Sequence, residues 1–556
     1  MKTINQTYLI LLLLFMAVSA YAQKWQWAHS GGSSELNMPD QGFDLAFGEK
    51  DTILNLGVFS GQLQLDNNYN LGPSVASFIA KYTPDGRPIA SSLIRRFSSG
   101  GVVRTLGLRS FSKTDFYVYG DIYGSYYFDT ILATGGGGGY VAKFDAYTRC
   151  EKIKTGISDG IQAITFDNRG NMYITGPIKN SIAMIDTFRM YNNSITIGGG
   201  PSPWAYMAKL DSNGKCIWVK QSYGRMGFGR TAMVNNNLYG IVSIDSCVIF
   251  GSETYCPTGS FLMQLDTSGK AKWFSPLKQL SGGSVYSGIG VDKIGNCYVA
   301  GNFDGNIGLL KDTIYKSGKG TLEVFLIKYK PDGSVAWHRQ IYSDSIVGIR
   351  GIHTNDAGYT YIVGIFSGTA VFGNDVIRAK PGTDTVKTAA RNMFIARYDA
   401  DGNYLGVKTV YNAIANNITT DDSGSAIVTG SIHLGTTHFD DIERTSNGGD
   451  DYFVAKLSAI TGNNNTIKEA TLNDKLLIYT NPNSGTFTIE VPASIAANTT
   501  AHLQIYNTAG SLIKSETVYI SNSTIGVDIG TVQKGLYTVT ITGSDAKKFT
   551  GKVMVE

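Results

Sequence analysis

The 556 residues include 66 Gly, about 12% against a usual ~7%, while charged residues make up only 17% and aromatics 11%, with 32 Tyr. That profile excludes a coiled coil, a helical bundle or a disordered chain, and points to many short strands joined by glycine turns. A formal net charge of +4 over this length is too small an excess to imply a nucleic-acid or anionic-membrane partner.

Residues 1–22 read as a secretory signal: Lys2 supplies the positive start, Tyr8 to Val18 form an apolar run, and Ala20-Tyr21-Ala22 is a small-x-small cleavage site, so the mature chain is expected to begin at Gln23. That run has 11 residues, too few to cross the membrane as a helix, and no later stretch is long enough either. Five cysteines in an exported chain cannot all pair among themselves. Cys247 and Cys256 flank a stretch that can turn back on itself and are the candidate disulfide. Cys150, Cys216 and Cys297 occupy positions that are apolar in sister repeats and read as small buried hydrophobes.

The internal repeat decides the fold. An aromatic, two apolar or small residues, a usual Lys and a final Tyr, Phe or Leu recur from Phe78, Tyr140, Tyr206, Phe261, Phe325, Phe394 and Phe453, at intervals of 62, 66, 55, 64, 69 and 59 residues. A glycine turn follows most copies, ending at Gly86, Gly214, Gly269, Gly333 and Gly402, and Trp218, Trp273 and Trp337 stand on the strand after it. Upstream lies a second hairpin signal, Asp167-x-x-Gly170-Asn-x-Tyr173-x-x-Gly176 and again Asp292 to Gly301. Each unit thus holds four strands, and seven such units predict a β-propeller. After Phe453 the fourth strand is missing, replaced by the polar run around Asn463 to Asn465, whereas Lys24-Trp25-Gln26-Trp27-Ala28-His29 is an orphan strand at the other end. That strand is expected to complete the seventh blade and close the ring.

Asp-x-x-Gly-Asn-x-Tyr-x-x-Gly, a Phe-Gly element at Phe250-Gly251 and Phe372-Gly373, and Phe-x-x-Lys-Tyr-Asp-x-x-Gly-x-x-x-Trp resemble the bacterial surface β-propeller (SBBP) repeats over residues 24–461. Units 1, 2 and 4 depart from the pattern at the Asp-x-x-Gly turn. The domain reading is a signal at 1–22, a propeller at 23–461, an Asn-rich linker at 462–474 and a smaller all-β domain at 475–556, whose period-two strands predict a sandwich. This last domain resembles the type A C-terminal sorting domain of type IX secretion: Asn481-Pro482-Asn-Ser-Gly485, Tyr506-Asn-Thr-Ala-Gly510 and Lys534-Gly535-Leu-Tyr537 match its turns in order. The resemblance implies the type IX secretion machinery as a partner and an address at the outer surface of a Gram-negative cell, or release from it.

Little in the sequence carries chemistry. Lys81, Lys143, Lys209, Lys328, Arg397 and Lys456, with Gln264 in the remaining copy, recur with the repeat and read as structural partners of turn Asp residues. The Asp399 turn lacks the later ligands of a calcium loop, and His433 and His438 have no zinc spacing, so no metal, cofactor or catalytic residue is expected. The links between second and third strands are long and unequal. Their aromatics Tyr126, Tyr127, Tyr191, Trp204, Tyr255 and Tyr315 are the candidate contacts of a binding face for an extracellular glycan or protein. A binding or adhesion module is the leading reading. A propeller enzyme acting on polysaccharide, which as a hydrolase would need two nearby carboxylates, and a purely structural surface component are the alternatives.

Overall fold

The computed structural model describes residues 23–556 apart from 34–39, 62, 67–68, 72–75, 98–101, 193–203, 257, 318–319, 381–391, 460–475, 480–482, 492–499, 508–510, 521–523 and 543–547. The expected signal, the linker, Asn481, Pro482 and Gly510 lie outside the described residues. The chain divides into two compact units, Met1–Ile460 and Thr461–Glu556.

The larger one is an all-β, propeller-like array of four-stranded antiparallel sheets. In chain order their strands are Gln41–Phe47, Ile53–Phe59, Ala76–Tyr82 and Pro88–Arg96 (unit 1); Val102–Ser110, Phe116–Phe128, Gly139–Phe144 and Cys150–Ile157 (unit 2); and Ala163–Phe166, Met172–Ile178, Trp204–Leu210 and Cys216–Tyr223 (unit 3). Unit 4 comprises Met226–Val234, Asn237–Ile244, Gly259–Leu265 and Ala271–Gln279, and unit 5 comprises Ser284–Val291, Cys297–Phe303, Glu323–Tyr329 and Val335–Ser343. Val347–Thr354, Thr360–Phe366, Asn392–Tyr398 and Tyr404–Tyr411 make unit 6. Ala413–Thr420, Ala426–Ile432 and Asp451–Leu457 begin unit 7, and its fourth strand is Trp25–Gly31, antiparallel to Asp451–Leu457.

The middle two strands of each sheet are largely buried, which is why they read as mostly apolar runs, whereas the fourth strands are for the most part half-buried or exposed. Tight turns join the strands. Asp167 shows how: its Oδ1 accepts the N–H groups of Arg169 and Asn171, while Gly170 takes φ +78°. The Asp399 turn is built alike, Oδ1 accepting from Asp401 and Asn403. The first strands lie side by side in unit order, and that of unit 7 packs against that of unit 1.

Two devices join successive sheets. The first is an indole laid on the next unit's turn glycine: Trp273 donates to the Pro331 carbonyl at 2.9 Å and Trp337 to that of Ala400 at 3.1 Å. Trp27 does the same to Pro84 of unit 1 at 3.0 Å. The second corrects a sequence-based expectation. The long links between second and third strands are not open loops. They carry β-hairpins such as Val248–Phe250 with Glu253–Tyr255, and in units 4, 5 and 6 that hairpin pairs with the fourth strand of the preceding sheet. The hairpin tips are pinned as well. Asp186 accepts from the Cys216 N–H of its own unit and from Lys154 of the unit before, and Asp440 accepts from Trp25 N–H and Lys408 in the same way.

In the C-terminal unit, Leu477–Tyr479, Thr486–Glu490 and Thr524–Asp528 form one sheet, and Leu512–Tyr519, Thr500–Tyr506, Gly535–Thr542 and Lys548–Val555 another. Both feed one core that includes Phe487, Ile489 and Val527 from the first and Leu503, Ile505, Val539 and Val553 from the second. The motif residues are structural turns. Asn483 Oδ1 accepts from Gly485 N–H at 2.7 Å, a Cβ on Gly485 would strike the Gly530 carbonyl, and Tyr537 donates to the Gln533 carbonyl at 2.5 Å.

Candidate functional site at the inner-strand bulges

Repeated residues hold the scaffold, so a recognition surface is sought where the backbone repeats and the side chains do not. The Lys series belongs to the scaffold. Lys143, Lys209 and Lys456 pair with the turn acids Asp115, Asp167 and Asp421 at 2.8, 3.2 and 2.8 Å. Lys81 and Lys328 donate instead to the next unit's carbonyls, Ala146 and Ala400, Gln264 donates to the Tyr239 hydroxyl, and Arg397 lies over Tyr359 and Tyr361.

The loop aromatics are mostly spent on packing. Tyr126 is only 2% exposed and belongs to a core cluster, which removes it from the candidate contacts. Tyr127 sits under Arg95, 4.6 Å from its ring centroid, and against Phe97. Trp204 opens a third strand and meets Tyr223 edge-on. Tyr255 donates to Glu253 and packs on Phe274. Only Tyr191 and Tyr315 are exposed, at 43% and 66%. Four of the six are thus packed against other side chains, so the six do not form one surface.

Cys247 and Cys256 are joined in a disulfide at the base of the unit 4 hairpin. Cys150, Cys216 and Cys297 are buried; burial pushes the first thiol up to about 12 and the second to about 11, leaving neither nucleophilic at neutral pH. His433 Nδ1 lies 2.6 Å from Asp450 Oδ1, while His438 faces Glu443 at 3.5 Å.

The non-repeating position is a β-bulge in the inner strands. Register shifts fall at Gly42/Asp44, Thr105/Gly107, Phe228/Thr231, Tyr286/Gly288, Ile349/Gly351 and Ala415/Asn417. In unit 3 the Gln162 N–H joins Ala163 opposite Thr175, the same arrangement. The extra residues are Phe43, Leu106, Gln162, Ser287, Arg350 and Asn416, and in unit 4 Gly229 and Arg230 together stand opposite Ile241. A bulge re-aims a side chain and ends regular pairing, a device concentrated beside functional sites. Adjacent bulges communicate: Arg350 reaches Asn416 Oδ1 at 3.3 Å, and Asn416 Nδ2 reaches the Gly42 carbonyl at 2.9 Å. Arg230 makes no hydrogen bond or ion pair among the described residues and is only partly buried.

Sequence reasoning missed these bulges, although their signal was present. The glycine of Tyr-x-x-Gly lies opposite the bulge. A Cβ on Gly120, Gly364 or Gly430 would run into the carbonyl of Arg104, Gly348 or Ile414. Glycine inside a strand marks such close backbone approach.

Asp44 on the first strand of unit 1 and Asp121 on the second strand of unit 2 are already engaged. Asp44 accepts from Arg109 and Leu108 N–H through Oδ2 and from Asn417 and Leu45 N–H through Oδ1, so it stitches units 1, 2 and 7 together. Asp121 is paired with Arg104 at 2.7 Å. His353, on the inner strand of unit 6, is held neutral by the dense protein around it, its pKa pushed down to about 4. Among the described residues no group of His, Cys, Asp and Glu is arranged to hold a metal ion, and no helix is long and apolar enough to cross a membrane.

Comparison with known proteins bears on the two parts unequally. Residues 477–556 match the family model of the secretion system C-terminal sorting domain. The chain is therefore exported by the type IX route, to the outer surface of a Gram-negative bacterium or beyond it. An uncharacterized WD repeat-containing protein of Acanthamoeba polyphaga mimivirus is 28% identical over 161 residues, 26% of this chain, which spans only 11% of that protein. Among solved structures the Dos1 propeller aligns with 78% of this chain and 95% of its own at 9% identity and TM-score 0.38. Virginiamycin B lyase from Staphylococcus aureus aligns with 78% of this chain and 99% of its own at 10% identity and TM-score 0.36.

Proposed function

We propose that residues 24–461 form a seven-bladed propeller closed by the Trp25–Gly31 strand, and that this propeller is a binding module whose site is the ring of inner-strand bulges. Closure is supported by the Trp27 contact with Pro84 and Gly86, which repeats at the junction of units 7 and 1 the contact made by Trp273 and Trp337 elsewhere. Tyr82 and Tyr452 hydroxyls also meet across that junction at 2.9 Å. Recognition at the bulges is supported by one observation: a like backbone device recurs in every unit with differing residues, and Arg230, in the bulge of unit 4, lacks a partner among the described residues.

Two guanidinium groups with Gln162, Ser287 and Asn416 beside them suit an acidic polysaccharide, Arg binding carboxylate or sulfate in forked geometry and the others sugar hydroxyls. Binding is favoured over hydrolysis because Asp44 and Asp121 are committed to backbone and guanidinium donors. The test is a glycan array probed with the chain from Gln23, with reducing-sugar release assayed in parallel. Retention of acidic glycans that falls at least tenfold in Arg230→Ala, with no sugar released, supports the reading. Equal retention by the variant, or release of sugar, overturns it.

A further inference from the structure

Between units 2 and 3 the indole that seals other junctions is missing. Trp27, Trp218, Trp273 and Trp337 lie against the turn glycine of the following unit, so that a Cβ on Gly86, Gly269, Gly333 or Gly402 would come within 2.7 to 2.9 Å of the ring. The same strand position in unit 2 is Lys152. Gly214, the turn glycine it faces, is left uncovered: the nearest atom to a Cβ there is Lys154 Cδ at 3.9 Å. A cleft of about 50 Å³ opens over it, floored by Tyr117, Val141, Met172 and Leu210 and edged by Lys152 and the Ser212–Gly214 backbone.

The chemistry of this cleft differs from that of the bulges. The sister indoles donate their N–H to the carbonyl two residues before the glycine, at Pro84, Pro331 and Ala400. The corresponding carbonyl is that of Ser212, which accepts no hydrogen bond among the described residues. Lys152 turns away from it to the Asn213 carbonyl at 2.5 Å. The rim is not an anion trap, because Lys143 is held by Asp115 and Glu151 and Lys154 by Asp186. What remains is an apolar slot with one acceptor at its edge.

We propose that this cleft is a binding site for a planar aromatic ring carrying an N–H donor, an indole supplied either by a small molecule or by a tryptophan side chain of a partner. The four sealed junctions define the fit, since the fold there accommodates an indole on the same glycine. The site is independent of the bulges, so loss of glycan binding leaves it standing.

The test uses the chain from Gln23 with 5-fluoroindole followed by fluorine NMR, and with the peptide Gly-Gly-Trp-Gly-Gly as competitor. Saturable broadening is expected, at least tenfold weaker in Lys152→Trp, whose own ring fills the slot, and within threefold of the parent in Lys152→Ala. A shift of the Met172 methyl resonance on adding 5-fluoroindole to the unmutated protein locates the site without any variant. Competition by the peptide assigns the indole to a partner chain, and its failure assigns it to a small molecule. Absence of saturable broadening up to the solubility of the probe, an unmoved Met172 methyl, or undiminished binding in Lys152→Trp overturns the proposal.

Discussion

If the N-terminal strand completes the last sheet, Trp25 is a core residue rather than part of a tail. It is 5% exposed, belongs to the hydrophobic cluster of unit 7 and meets Phe439 edge-on at 5.1 Å. An aromatic of this size removes roughly 150–250 Å² from water, worth about 4–6 kcal/mol at ~25 cal/mol per Å². Its indole N–H, however, is buried without a partner among the described residues, which costs about 1–3 kcal/mol. Trp25→Ala is therefore expected to cost about 3 kcal/mol, and Trp25→Phe, which discards the unpaired donor while keeping most of the ring, about 1 kcal/mol or less. Urea unfolding followed by tryptophan fluorescence measures this cleanly, because all six Trp lie in the propeller-like part and none in the sorting domain. A Trp25→Ala loss below ~0.5 kcal/mol would refute the docked strand, since surface substitutions rarely exceed that value.

Three further outcomes follow from the same packing. Asp451 is 1% exposed; burial, with Asp40 and Asp450 nearby, pushes its carboxyl up to about 6 from 3.8. Its stabilising contribution is complete below pH 3.8 and is lost as pH rises through about 6, so Asp451→Asn should gain up to about 2–3 kcal/mol at pH 8 and flatten stability between pH 4 and 7; denaturation midpoints across that range check it. Gly333 has φ +84° and a Cβ there would lie 2.7 Å from Trp273, so Gly333→Ala should cost about 2 kcal/mol and lower the melting temperature, whereas Gly406→Ala, with nothing within 4 Å, should show only the strain of its positive φ. Replacing Cys247 and Cys256 together by Ser should cost about 2–3 kcal/mol, the closure entropy of so short a loop, read from urea midpoints with and without reductant on the parent chain.

Much of the architecture was legible because the repeat leaves its marks locally. A turn needs its Asp and Gly at fixed offsets, and a strand buried on both faces needs an apolar run, so both are written in consecutive residues. The orphan Trp25 and Trp27 could be matched to a missing strand by arithmetic. The hairpins between second and third strands were not legible, because each is short and those of units 4, 5 and 6 are held by the fourth strand of another unit. Their turn residues vary between Asp and Gly, as at Asp186, Gly251, Gly373 and Asp440, since either tolerates the positive φ required there. Reading their aromatics as a free surface failed for that reason, and Tyr126 in the core is the plainest case.

Chain order alone determined the strand count per unit, the turn chemistry and the export address, since each depends on neighbours within about ten residues. Only the assembled sheets decided which side chains are left over. Among the described residues Arg230 lacks a partner and Gly214 lacks a cover because of what other units place beside them, and no local pattern encodes a vacancy made by residues about sixty positions away.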